Sequence, residues 1–313
     1  MEAPRRGDVI QRARNLVEWG RWKEAREMIA AAVAQPQNAT NAQLLAYYAH
    51  LLVKFGEVGQ AAKLAHKAVS LDKSCASCHL YLFEAKAEHA KTLSRFRALL
   101  ELPGLKKQLE TATKLDPDMA DVQWAWIEFD LELPNALGGS STDARKHADK
   151  LAAIDPVDGN LARAHVAKAE NKPTEALADY RAAVAANPQD PRGVFALGRE
   201  LYNRGEYEAA APYLSRALAL NQQSALYCAY QAANLVHLKQ LVEARNVIQR
   251  GAALHPESRY CEYMAAQAFK SVGQDYAWAK QLLESYLKVK PEPEQPSLAD
   301  ARNLLASLNS PAV

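Results

Sequence analysis

The chain is 313 residues long, 49% hydrophobic and 24% charged, a globular composition at a length beyond one ordinary domain unless the chain is a repeat array. Its formal charge of +2 provides no strong overall field for nucleic acid or anionic lipid, so neither is expected as a partner. No apolar run reaches the ~18 residues of a spanning helix, and four cysteines are too few for a disulfide-dependent fold of this size.

Residues Met1 to Asp8 contain no apolar signal region, which points to the cytoplasm; a leader removed ahead of residue 1 would point to the periplasm. Beyond them, apolar helical runs alternate with short polar turns. A proline closes most pairs of runs, at Pro36, Pro117, Pro156, Pro188, Pro256 and Pro291. The pairs span approximately 8–36, 41–73, 75–117, 119–156, 158–188, 191–222, 225–256 and 259–291, and a terminal helix with Ser297 as N-cap is predicted over 297–308. The third pair departs from the pattern. Its first helix is expected to run from about Cys75 to Leu99 until Leu102-Pro103-Gly104 breaks it, and its second from Leu105 to Leu115. The fourth pair carries a long loop from Leu133 to Asp143. In the sixth, Pro212 lies past the first turn of its helix and is expected to bend it.

The stretch from Phe195 to Leu220 sets the phase. An alanine early in each second helix recurs at Ala176, Ala210, Ala244 and Ala279, and Ala25, Ala61 and Ala144 fit the same frame. Together with Leu197-Gly198, Leu201, Leu214 and Ala217, this cadence resembles the tetratricopeptide repeat (TPR), whose pattern repeats every ~34 residues. The long third helix pair and the Gly138-Gly139 loop resemble features of bacterial members. The resemblance implies an all-α, right-handed solenoid of antiparallel helix pairs: about eight units over 1–313 and a polar capping helix. One such pair cannot bury its apolar face alone, so neighbours stack and share a core.

Chemistry-bearing motifs are sparse. Cys75-Ala76-Ser77-Cys78-His79 matches the C-x-x-C-H of haem attachment, but it occupies ordinary repeat positions with no added loop for a porphyrin. Cys75 would sit in a first helical turn, where the dipole lowers a thiol pKa. Cys228 and Cys261 fall at near-equivalent places in successive units, a spacing expected to hold them apart as buried free thiols. Phosphate-binding, nucleophile-elbow and zinc-protease templates are absent, so no enzyme, cofactor or metal site is expected.

The resemblance implies instead a concave surface lined by first helices. Transferring the family's phase gives Tyr47, His50, Lys54, Trp126, His165, Lys168, Arg192, Arg199, Tyr202, Asn203, Tyr230, His237 and Tyr263 as partner-binding candidates. The set is aromatic and basic, as recognition sites often are. It suits a scaffold that binds a protein or peptide segment of acidic character, itself a monomer or weakly self-associating. The alternative is a periplasmic redox or haem-linked protein using Cys75, Cys78 and His79.

Overall fold

The computed structural model describes residues 8–309, so the reading of the first seven residues lies outside it. All regular elements among the described residues are helical. The first nine α-helices are α1 (Asp8–Glu18), α2 (Trp22–Val33), α3 (Ala42–Lys54), α4 (Val58–Leu71), α5 (Ala76–Lys91), α6 (Arg95–Leu115), α7 (Ala120–Glu132), α8 (Ser141–Ile154) and α9 (Pro156–Ala169). Then come α10 (Pro173–Ala186), α11 (Pro191–Asn203), α12 (Tyr207–Leu220), α13 (Ala225–His237) and α14 (Leu241–Leu254). The last three are α15 (Tyr260–Val272), α16 (Tyr276–Tyr286) and α17 (Leu298–Ser307).

These residues gather into two compact units. One comprises the chain up to Val17 together with Trp22–Lys172, and the other Glu18–Arg21 together with the chain from Pro173 onward. The division falls in the turn between α9 and α10, inside the expected fifth repeat. In the first unit α3 packs on α4, α5 on α6 and α7 on α8, while α3 also touches α5 and α7 touches α9. In the second, α11 packs on α12, α13 on α14 and α15 on α16, and α13 lies along α15.

The seven anchor alanines show why the pairs form. Ala25, Ala61, Ala144, Ala176, Ala210, Ala244 and Ala279 are all fully buried, and a larger side chain at any of them would wedge packed helices apart. Gly198 serves the same end on α11, where an added Cβ would meet Leu214 of α12 at 2.9 Å.

The turns repeat as faithfully as the helices. A left-handed residue recurs at Asn171, Gly205, Lys239 and Gly273, and Gly56 holds the equivalent place earlier. In each case the following residue donates its N–H five residues back, as Glu206 does to the Leu201 carbonyl at 3.0 Å and Gln240 to Leu235 at 2.9 Å. This satisfies carbonyls that a helix end leaves open. Local chemistry therefore fixes where each first helix stops.

The third pair differs from expectation. α5 ends at Lys91, the chain turns at Thr92-Leu93-Ser94, and α6 runs on through Pro103. Pro103 is exposed, and so is Leu99, whose carbonyl loses its donor to the proline on a stretch open to solvent. The expected loop of the fourth pair holds one short 3-10 turn, Asn135–Leu137, before Ser140 caps α8. Pro212 lies inside α12 as read. Ser297 caps α17 in a reciprocal box with Asp300.

Candidate partner-binding surface

In the first unit two candidates, Tyr47 and His50, are drawn into packing around Arg14 of α1. Its guanidinium donates to the Tyr81 hydroxyl at 3.3 Å, lies 5.8 Å from the Tyr47 ring centre, and approaches Asp121 at 3.7 Å. Tyr47 and Tyr81 are 3% and 4% exposed, and burial pushes the Tyr81 phenol well above its ordinary value. His50 Nδ1 meets the Glu84 carboxylate at 2.6 Å and stacks on Tyr47. Lys54 stands 5.7 Å from the Trp22 ring.

Trp126 is held by two second helices, α6 and α8. It donates to Thr113 Oγ1 at 2.9 Å and stacks on His147 with centroids 5.3 Å apart. The tryptophan beside candidate His165 is Trp124, at 6.1 Å. His165 also pairs with Glu128 at 3.0 Å, a bond that holds the Glu128 carboxyl below its usual range. Lys168, one turn further along α9, is exposed.

The second unit brings four of its candidates, Arg199, Tyr202, Tyr230 and His237, into one cluster. Phe195, Arg199 and Tyr202 share a face of α11 by their i, i+4, i+7 spacing, and Tyr230 and His237 share a face of α13. Tyr202 packs edge-on against Tyr230 at 5.3 Å and His237 at 5.6 Å, while Phe195 meets Tyr230 at 5.4 Å. Two rings that the sequence reading missed complete the cluster. Tyr227 stacks on Phe195 at 4.3 Å, and Tyr207, at the start of α12, stacks on His237 at 3.8 Å. Only the phase assumed for first helices could have found Tyr227, and Tyr207 lies on a second helix. Burial raises the Tyr227 phenol to about 12 and lowers His237.

Arg199 sits above this floor with its guanidinium 5.7 Å from the Phe195 ring centre. It is half-buried, yet among the described residues it has no carboxylate or hydrogen-bond partner. Three other arginines of the unit are answered by carboxylates, Arg192 by Asp190 at 2.6 Å, Arg204 by Glu200 at 3.0 Å and Arg259 by Glu262 at 3.0 Å, while Arg245 lies over the Trp278 ring at 4.4 Å. Asn203 closes α11 on the exposed side. Tyr263 lies apart from the cluster, 7% exposed and packed on Tyr286 at 5.1 Å.

The cysteine motif is fully engaged. Cys75 and Cys78 are joined as a disulfide, so neither sulfur is free to form a thioether. His79 is 8% exposed with both ring nitrogens occupied, by Gln108 Oε1 at 2.8 Å and the Lys73 carbonyl at 3.1 Å. Cys75 is the N-cap of α5 rather than a residue of its first turn.

Neither a family model nor a curated protein matches the chain. Among solved structures, yeast Tom70 aligns with a TM-score of 0.62 at 17% identity, covering 93% of this chain and 59% of that one. The Cut9-Hcn1 hetero-tetramer of the APC/C aligns at 0.49 and 14%, covering 96% of this chain and 55% of the other. The chain thus spans less than two thirds of the length of either. Buried anchor alanines and turns that recur in phase define an array of α-helical pairs. Its fold is the tetratricopeptide-repeat fold, as the likeness to Tom70 supports.

Proposed function

We propose that the protein is a non-catalytic scaffold that binds a protein or peptide segment bearing acidic side chains, with Arg199 as its principal anion contact. The observation that carries this reading is the half-buried Arg199 guanidinium, held on an aromatic floor without a carboxylate of its own. A guanidinium offers a planar fork of donors that matches a carboxylate. Partial burial among rings weakens its competition with water and strengthens that pairing. Tyr202, Tyr230 and His237 would supply contact area at low entropic cost.

The test is a peptide array of extended sequences rich in Asp and Glu, each paired with its Asn and Gln counterpart. Wild-type protein should retain the acidic members, more weakly as salt rises. Arg199→Glu should lose them at unchanged helicity. Equal retention of acidic and neutralised peptides would sink the acidic preference. Retention by Arg199→Glu equal to wild type would place binding elsewhere.

A further inference from the structure

The sequence spacing of Cys228 and Cys261 argues for separation, and the structure overturns that expectation. Their sulfurs are 3.0 Å apart, closer than non-bonded sulfur atoms normally approach, in a site where the residues are 5% and 4% exposed. Both are free thiols, and both aim at the Val247 carbonyl of α14, at 3.5 and 3.9 Å. Gly251, one turn further along α14, makes the meeting possible. A Cβ there would lie 2.5 Å from Cys228 Sγ and 3.1 Å from Cys261 Sγ. The three helices α13, α14 and α15 thus leave a space that two sulfurs fill and a methyl group could not share.

We propose that Cys228 and Cys261 form an oxidisable dithiol that closes to a disulfide joining α13 to α15, with hydrogen peroxide as the class of oxidant small enough to reach it. Closure needs the sulfurs to move from 3.0 Å to about 2 Å, a shift that side-chain rotation can supply. Cys228 sulfur attacks one peroxide oxygen, forming an S–O bond and breaking O–O. The hydroxide released takes the thiol proton and leaves as water. Cys261 sulfur then attacks the Cys228 sulfenic sulfur, forming S–S as S–O breaks, and its proton leaves with the departing hydroxide as a second water. Each sulfur gives up one electron, and the peroxide is reduced to two waters.

The link would tie successive helix pairs through a loop of 33 residues, enough separation for the cross-link to stabilise the folded chain by limiting the unfolded one. The test treats the full chain with hydrogen peroxide, alkylates remaining thiols after denaturation, and maps peptides without reduction. A Cys228–Cys261 linked peptide should appear beside the Cys75–Cys78 one, with a mass lower by two hydrogen atoms. The melting temperature should rise by about 5 °C, and the same treatment of Cys228→Ser should leave it unchanged. Gly251→Ala, which crowds both sulfurs, should slow linkage about tenfold. Wild-type protein whose two thiols remain alkylatable after peroxide, or carry oxygen singly with no linked peptide, would overturn the proposal. That result needs no variant to fold.

Discussion

A methyl group placed on Gly159 would lie 2.2 Å from the Cα of Ala152 and 2.4 Å from its nitrogen. The approach joins the start of α9 to the last turn of α8, where Asp155 caps α9 and Pro156 opens it. Backbone cannot rotate away as a side chain can, so the helices would have to part. Gly159→Ala is therefore expected to cost about 2–3 kcal/mol by overpacking, read as a lower urea midpoint. Gly104, inside α6 with no atom near its absent Cβ, is the control. Gly104→Ala should stabilise by about 0.5–1 kcal/mol through helix propensity alone. Equal effects at the two positions would show that the crossing is not tight.

Arg199 and Tyr202 lie on one face of α11 but should fail in different ways when truncated. Tyr202 is wedged among Tyr207, Tyr230 and His237, so Tyr202→Ala removes a ring from a packed cluster. It should cost about 1–3 kcal/mol, and its effect on binding is mixed with that loss. Arg199→Ala breaks no ion pair and should leave the melting temperature within about 2 °C of wild type. A melting temperature that falls as far for Arg199→Ala as for Tyr202→Ala would mean that the arginine's role is structural.

A buried carboxyl and a half-buried imidazole of the first unit oppose each other in pH. Burial, with Asp143 nearby, lifts Asp130 from 3.8 to about 6, and one of its carboxylate oxygens is enclosed without a hydrogen-bond partner. A carboxyl raised in the folded state contributes stability below pH ~4 that is lost as pH rises through 6. Burial against Trp126 lowers His147 from 6.5 to about 4, with its Nδ1–H donating to Gln123 at 2.7 Å. An imidazole held neutral contributes stability above pH ~6.5 that is lost as pH falls toward 4. Between pH 4 and 6 the two slopes cancel in part. Asp130→Asn should gain about 1–2 kcal/mol over wild type above pH 6 and lose that gain below pH 4. His147→Gln should gain relative to wild type as pH falls from 6.5 to 4. Urea midpoints measured across this range check both, and a pH-independent Asp130→Asn difference would mean an ordinary carboxyl.

What could be read from the sequence was whatever the repeat itself enforces. The anchor alanines are buried because every second helix meets the same constraint, so one phase predicted them all. The boundary in the third pair was missed because Pro103-Gly104 outranks Thr92-Leu93-Ser94 as a breaker by residue type. The proline's cost depends on whether water can reach the Leu99 carbonyl, and only the fold sets that. α6 buries Leu105, Leu109 and Ala112 in its second half alone, leaving Phe96 and Leu100 at 72% and 66% exposed, so its first half has little packing to define an end. The packing of the candidate side chains was legible to different degrees. Phe195, Arg199 and Tyr202 share a face by helix spacing, whereas Trp126 and Trp124 lie on a helix apolar on several faces, where spacing gives no unique phase. Cys228 and Cys261 are buried free thiols as expected, but their closeness was missed because a spacing argument cannot see that Gly251 lets the helices close.

The turn at Lys239 gives the most local prediction. Its backbone is left-handed, with φ of 58°, in the place where the neighbouring repeats put Gly205 and Gly273. Its N–H donates to the Val236 carbonyl at 3.0 Å, and the next residue, Gln240, donates to Leu235 at 2.9 Å, so the conformation is demanded by the helix end. A residue with a Cβ pays about 1 kcal/mol or more for it, and the Lys239 side chain is exposed, with no packing to offset that cost. Glycine also loses more freedom on folding, which returns part of the gain. Lys239→Gly should therefore stabilise the protein by about 0.5–1 kcal/mol, read as a higher urea midpoint at an unchanged slope. The reverse change at the matching turn, Gly205→Lys, should destabilise by a similar amount. A neutral or destabilising Lys239→Gly would mean that this end of α13 is held by something other than its cap.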